Sequence, residues 1–209
     1  TLMKLIQSEI HPRKTNPYKK EILGKSNYSI FELKKELGII TNDLHNYFAM
    51  NGSFLTGYIA VLSGHYSSIG VFKHQDFSES QHEKAKETMK YLEIEHLANK
   101  YVQEMSTGEL RKCIVARALI HDPKAFILDE PTVGLDLKSR FDILEYVRQL
   151  VLTKNISVLW ITHLFDEIEE DDNVTLIKTG KIIESGIVKN IIAKHKKENL
   201  VETFNYLVR

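Results

Sequence analysis

Two short apolar runs, Ala125 to Leu128 and Ser157 to Ile161, constrain the fold of this chain more than any other feature. Each is too short for a buried helix, and the first lies between Pro123 and the acids Asp129 and Glu130. Runs of this kind predict strands buried on both faces, as in parallel sheets covered by helices. Between them Phe141, Leu144, Val147 and Val151 recur at helical spacing, which supplies the crossover that parallel neighbours require. The segment therefore reads as a strand-helix-strand unit and the core as α/β. A length of 209 residues favours one domain around a single sizeable core.

The same reasoning organises the rest of the chain. Leu2, Met3, Leu5, Ile6 and Ile10 predict an opening helix ended by Pro12, followed by a Lys-rich loop with Pro17. A short strand is expected over Glu21 to Leu23, with a turn at Gly24. Phe31, Leu33 and Leu37 predict a helix running into a strand from Gly38 to Thr41. A polar helix from about Ser80 to Tyr91 belongs to a helical insertion ahead of Ser106, and the helix after Gly108 is broken by His121-Asp122-Pro123. Val174 to Ile177 and Lys181 to Ile183, joined at Thr179-Gly180, predict a hairpin. Ile191, Ile192, Leu200, Phe204 and Leu207 predict a helical tail, with Lys194-His195-Lys196-Lys197 as a solvated face.

Charge and cysteine usage exclude some functions. Lys plus Arg and Asp plus Glu number 28 each, so no broad basic surface for nucleic acid is expected. The single cysteine, Cys113, forms no internal disulfide and fits a reducing cytosolic compartment as a buried, inert thiol. No signal segment opens the chain, which begins at Thr1 and is expected to start mid-protein. From Tyr47 to Phe72 no residue is formally charged. Ser53, Thr56, Gly57, Ser63, Gly64, His65, Ser67, Ser68 and Gly70 interrupt it too often for a membrane span. It is either a helical core or a surface on which a partner docks.

Ligands of open parallel sheets bind beyond the carboxyl ends of the strands, where Asp129, Glu130 and His163 fall. An aspartate at a buried strand end offers a hard oxygen to Mg²⁺, usually through water, and the adjacent carboxylate can orient or deprotonate an attacking water. Either acid could instead simply end a strand, and a lone histidine there is commonly a hydrogen-bonded structural residue. Ser106 and Glu109 form the Ser-x-x-Glu capping box of a helix start. That role is compatible with phosphate binding, since a helix N-terminus presents free N–H groups and partial positive charge. Gly108 lets the backbone approach closely.

Read together, Ser106-Thr107-Gly108-Glu109 through Ala116-Arg117-Ala118-Leu119, then Ile127-Leu128-Asp129-Glu130-Pro131-Thr132 and Gly134-Leu135-Asp136, resemble the ATP-binding cassette (ABC) ATPases. The resemblance covers nearly the whole chain. It implies a P-loop NTPase-like parallel sheet core with a helical subdomain, residues 46–120, inserted before the signature helix, all within one domain, 1–209. It implies ATP and Mg²⁺ as ligands. Ser106, Thr107, Gly108 and Glu109 would form the signature that meets the γ-phosphate of ATP held by a second cassette. Asp129 would serve Mg²⁺, Glu130 would be the general base, His163 the switch histidine at the γ-phosphate, and Asp136 the residue that communicates across the dimer.

Three departures from the family pattern stand out. Thr107 and Glu109 replace the usual glycine and glutamine of the signature, and Glu109 brings a carboxylate to the phosphate end. Asn42 stands where the family has the glutamine of its metal-contacting, coupling loop, with the same amide one methylene shorter. No Gly-x-x-Gly-x-Gly-Lys-Ser/Thr phosphate loop occurs in the sequence. The expectation is that this loop and the strands before it precede Thr1, which would be the loop's last hydroxyl residue, and that the chain alone binds ATP poorly.

The resemblance implies an ATPase that powers a transporter through separate transmembrane subunits, peripheral at the inner face of the membrane, with similarity to cassettes of molybdate or related import. The alternative is a cytosolic ATP-gated regulatory or binding module uncoupled from transport, and a third reading is an inactive interaction domain.

Overall fold

The computed structural model describes Ile6 and residues 19–208. Thr1, the remainder of the expected opening helix and the loop with Pro17 lie outside the described residues. The chain divides into two compact units, Thr1–Ile161 and Thr162–Arg209.

The first unit is built on a parallel sheet of β1 (Leu37–Thr41), β2 (Ala125–Asp129) and β3 (Ser157–Ile161), in the order β1-β2-β3. Helix α1 (Ile30–Glu36) runs directly into β1. Phe126 and Leu128 of β2 enter the large core cluster, whereas Ile127 joins Leu33 and Leu37 in a smaller one, so β2 is buried on both faces. Gly38 makes the β1–β2 approach possible, because a Cβ there would lie 2.5 Å from the Phe126 ring. For β3 the two-faced burial expected from its apolar run is not observed. Val158 and Trp160 pack on the core, but Leu159 is 45% exposed, because β3 is the edge strand among the described residues. The expected strand over Glu21 to Leu23 is also corrected. A single antiparallel bridge, Ile22 to Lys25, closes a turn through Leu23 and Gly24, both at positive φ, which leaves too few residues to pair as a ladder.

The helical elements follow β1. They are α2 (Asn42–Asn51), α3 (Gly57–Leu62), a 3₁₀ turn (Ser63–Tyr66), α4 (Glu79–Tyr91) and α5 (Thr107–Leu119). Ser78 caps α4 with a capping box through Gln81, so the helix begins at Glu79, one residue ahead of its expected start. Helix α5 buries Leu110, Arg111, Cys113, Ile114, Val115, Ala116 and Leu119, more than a single stripe, and packs against α2, α3, α4 and β1. Helix α6 (Leu137–Lys154) is the crossover between β2 and β3, burying Ile143, Val147 and Leu150. The uncharged segment is part core and part surface: Phe48, Ala60, Val61 and Leu62 are buried, while Met50 and Phe54 are 80% and 87% exposed. No helix of the described residues is long and apolar enough to cross a membrane.

The second unit holds the expected hairpin, β4 (Asn173–Lys178) antiparallel to β5 (Lys181–Ile187). Thr179 and Gly180 both have positive φ, as a two-residue turn that matches strand twist requires. Helices α7 (Val188–His195) and α8 (Leu200–Leu207) pack on it through Leu176, Val188 and Leu200. The basic run is not merely a solvated face. Lys194 and His195 converge on Glu184 at 2.6 and 2.7 Å and hold its carboxyl down to about 2.

Candidate functional site

The parallel register sets Thr41, Asp129 and Ile161 side by side at the carboxyl ends of the three strands. Thr41 then caps α2 by accepting from the Leu44 N–H at 3.1 Å. Beyond Asp129 the chain turns sharply. Glu130 adopts a left-handed backbone with φ 49°, its N–H donating to the Ile161 carbonyl at 2.9 Å. A non-glycine residue in that region costs about 1–2 kcal/mol, and such strain concentrates at functional positions. The turn continues through Gly134, at φ 79°, to the start of α6.

Burial, the adjacent Glu130 charge and Asp43 hold the Asp129 carboxyl above the usual carboxylate range. A divalent cation bound there would favour the charged carboxylate. Among the described residues no three His, Cys, Asp or Glu side chains form a metal cluster. The Asp129 carboxylate is a hard oxygen of the kind Mg²⁺ takes one or two of, completing its shell with water and phosphate oxygens.

The start of α5 forms the second group of candidates. Ser106 Oγ accepts from the Glu109 N–H at 3.2 Å, and Glu109 Oε2 accepts from the Ser106 N–H at 2.7 Å. Lys100 Nζ bridges both Glu109 oxygens at 2.9 and 2.8 Å. Burial pushes the Glu109 carboxyl up, but Lys100 and the Ser106 hydrogen bond outweigh it and leave it below the usual range. The carboxylate that sequence alone places as a liability is thus charge-balanced, and the helix end retains its attraction for an anion. Thr107, the first residue of α5, is exposed.

Gly108 joins this group to a third. A Cβ on Gly108 would lie 2.6 Å from Ser139 Oγ, so only glycine fits without displacement. Ser139 belongs to the first turn of α6, where Asp136 is the cap, accepting from the Ser139 N–H at 3.0 Å and from its Oγ at 2.7 Å. Those two bonds hold the Asp136 carboxyl below its usual range. The segments Ser106–Glu109 and Asp136–Ser139 are therefore neighbours.

Asn42 opens α2 directly after Thr41, and its Oδ1 accepts from Arg111 Nη2 at 2.7 Å. His163 lies two residues beyond the last residue of β3, is exposed, and belongs to the second unit. Three contributors escape sequence reasoning: Lys100, Arg111 and Ser139. Only Ser139 carries a local signal, the Asp-x-x-Ser spacing of a helix cap, whereas the partners of Lys100 and Arg111 are brought by the fold.

A parallel α/β core with adjacent acids at the end of its central strand, followed by a helical crossover, is the frame of a P-loop NTPase-type domain. The chain belongs to the ABC transporter family, whose sequence profile matches residues 1–133. It is 38% identical over 104 residues to the molybdenum import ATP-binding protein ModC of Haemophilus ducreyi, covering 49% of this chain and 30% of that protein. It is 28% identical over 208 residues to an ABC transporter ATP-binding protein of Methanocaldococcus jannaschii, covering 98% of this chain and 68% of the relative. Among solved structures it superposes on cbiO1 of Clostridium perfringens, part of the ABC transporter complex cbiONQ. The TM-score is 0.73 at 24% identity, over 92% of this chain and 74% of that one. The chain spans 18% of the length of a Dictyostelium discoideum ABC transporter G family member and 55% of a Streptococcus mutans ATP-binding protein that it also matches.

Proposed function

We propose that residues 1–209 act as one ABC ATPase cassette, with residues 46–120 as its helical subdomain, converting ATP and water to ADP and phosphate to energise a membrane transporter. The observation that carries this reading is the Asp129-Glu130 pair at the carboxyl end of β2, with the Asp129 carboxyl raised by burial and by Glu130, and Glu130 at positive φ. Asp129 would hold Mg²⁺, which supplies charge neutralisation at the phosphates when bound. Glu130 takes the proton of the attacking water as general base. Ser106 to Glu109 present the α5 N-terminus to the γ-phosphate of ATP on a second cassette, homologous or identical, and Asp136 sits beside them at that junction. His163 contacts the γ-phosphate, and Thr1 serves the nucleotide as the hydroxyl of the phosphate loop. The exposed Tyr47, Met50, Phe54 and Phe72 supply the apolar face on which transmembrane subunits dock, at the cytoplasmic side of the membrane.

The test is ATP turnover by a polypeptide carrying these residues together with a phosphate loop. Glu130→Gln is expected to lower turnover by about 10²–10⁴-fold while ATP still binds. Undiminished turnover would remove Glu130 from the role of base. A cytosolic ATP-gated module uncoupled from transport is favoured by one observation, the engagement of Asn42 by Arg111. Copurification with integral membrane proteins separates it from the transport reading.

A further inference from the structure

Arg111 is 1% exposed, one of the most deeply buried large side chains of the protein, and no carboxylate is its hydrogen-bond partner among the described residues. Its Nη2 donates to Asn42 Oδ1 across a sequence separation of 69 residues, while its Nε and Nη1 are unpartnered. A buried guanidinium is expensive unless a dipole offsets its charge, so the Asn42 carbonyl is the group on which Arg111 depends. The charge is felt locally. His45, one turn along α2, is held low by burial and by Arg111, and burial itself pushes the guanidinium down to about 10.

This contact changes what Asn42 can do. Its Oδ1 is the only atom of the side chain that could ligate a hard cation. A divalent ion on that oxygen would sit within about 5 Å of the guanidinium, given ordinary hydrogen-bond and Mg–O lengths, with no anion between them. Asn42 also follows Thr41, the register partner of Asp129, and Arg111 lies one turn beyond the Ser106 cap. The hydrogen bond therefore spans from the strand-end acids to the start of α5.

We propose that Arg111 is a positioning residue that withholds Asn42 Oδ1 from metal coordination and uses it to tie the carboxyl end of β1 to the first turns of α5, leaving the divalent cation to Asp129. The inference rests on the reading of Asp129 as the cation-binding residue.

The test is Mn²⁺ binding to the chain, followed by paramagnetic relaxation, in the wild type and in Asp129→Asn, Asn42→Ala, Arg111→Met and Asn42→Ala/Arg111→Met. Asp129→Asn is expected to weaken Mn²⁺ at least tenfold and Asn42→Ala to change it less than twofold. Arg111→Met frees the amide oxygen and is expected to tighten Mn²⁺ at least threefold, a gain that the double variant loses. Arg111→Gln, which removes the charge but keeps an amide donor, replaces the Met variant should that fail to fold. Weakening by Asn42→Ala comparable to that of Asp129→Asn overturns the inference. An Asp129→Asn variant that binds Mn²⁺ like the wild type, or a wild type that binds none, instead refutes the metal role of Asp129. The tie is then decided without metal by proton exchange at Arg111 Nη2. Asn42→Ala should accelerate it at least tenfold, and an unchanged rate overturns the positioning role.

Discussion

His45 should make the folded chain acid-sensitive through one identifiable proton. The side chain is 7% exposed and its Nδ1 has no hydrogen-bond partner. Burial first, and the Arg111 charge second, lower its pKa from 6.5 to about 4. The folded state therefore refuses a proton that the unfolded chain accepts. The sign follows from that: the neutral form is compatible with the fold, stability from this group is complete above pH 6.5, and it is lost as the pH falls below the unfolded value. The loss levels off near pH 4, where the folded state also protonates, at about 3 kcal/mol in total and about 2 kcal/mol by pH 5. His45→Leu removes the titration and retains an apolar side chain for the site. His65 and His121, also held low by burial, titrate in both proteins and cancel in the comparison. The assay is urea unfolding at pH 7 and pH 5, followed by the fluorescence of Trp160, the single tryptophan, which packs against the main core cluster. The wild type should lose about 2 kcal/mol more than His45→Leu between the two pH values. Parallel losses, agreeing within about 0.5 kcal/mol, would refute the assignment of a buried neutral imidazole at this position.

Two further outcomes follow from the start of α5 and from its buried thiol. Ser106→Ala removes the acceptor for the Glu109 N–H and should cost about 1 kcal/mol, seen as a fall of about 2–4 °C in the thermal midpoint. An unmoved midpoint would mean that the Lys100–Glu109 pair holds the helix end unaided. Cys113 is fully buried, and burial pushes its thiol up to about 12, so a disulfide reagent at pH 8 should label it only as fast as the protein opens. Stoichiometric labelling within minutes in native buffer would contradict that environment.

Features set by neighbours along the chain were legible in the sequence. The apolar run Ala125–Leu128 is a strand because Pro123 and the acids bound it. Ser106 and Glu109 cap α5 because the two residues lie within one turn of each other, and the hairpin turns at Thr179-Gly180 because the glycine readily takes one of the two positive φ values of a two-residue turn. Other features resisted the same reasoning. The run from Ser157 to Ile161 is as apolar as its neighbour, yet its burial depends on what pairs with it, and β3 has β2 on one side only among the described residues. The uncharged segment could be core or surface, because absence of charge does not say which side chains the helices turn inward.

The sequence by itself therefore determined the strand-helix-strand core, the cap at Ser106, the adjacent acids Asp129 and Glu130 and the family they resemble, since periodicity and capping act over one or two turns. The tertiary structure alone decided that Lys100 neutralises Glu109, that Gly108 seats against Ser139 and that Arg111 takes the oxygen of Asn42. Those contacts join residues from 9 to 69 positions apart, where packing of whole elements, and not local preference, selects the partner.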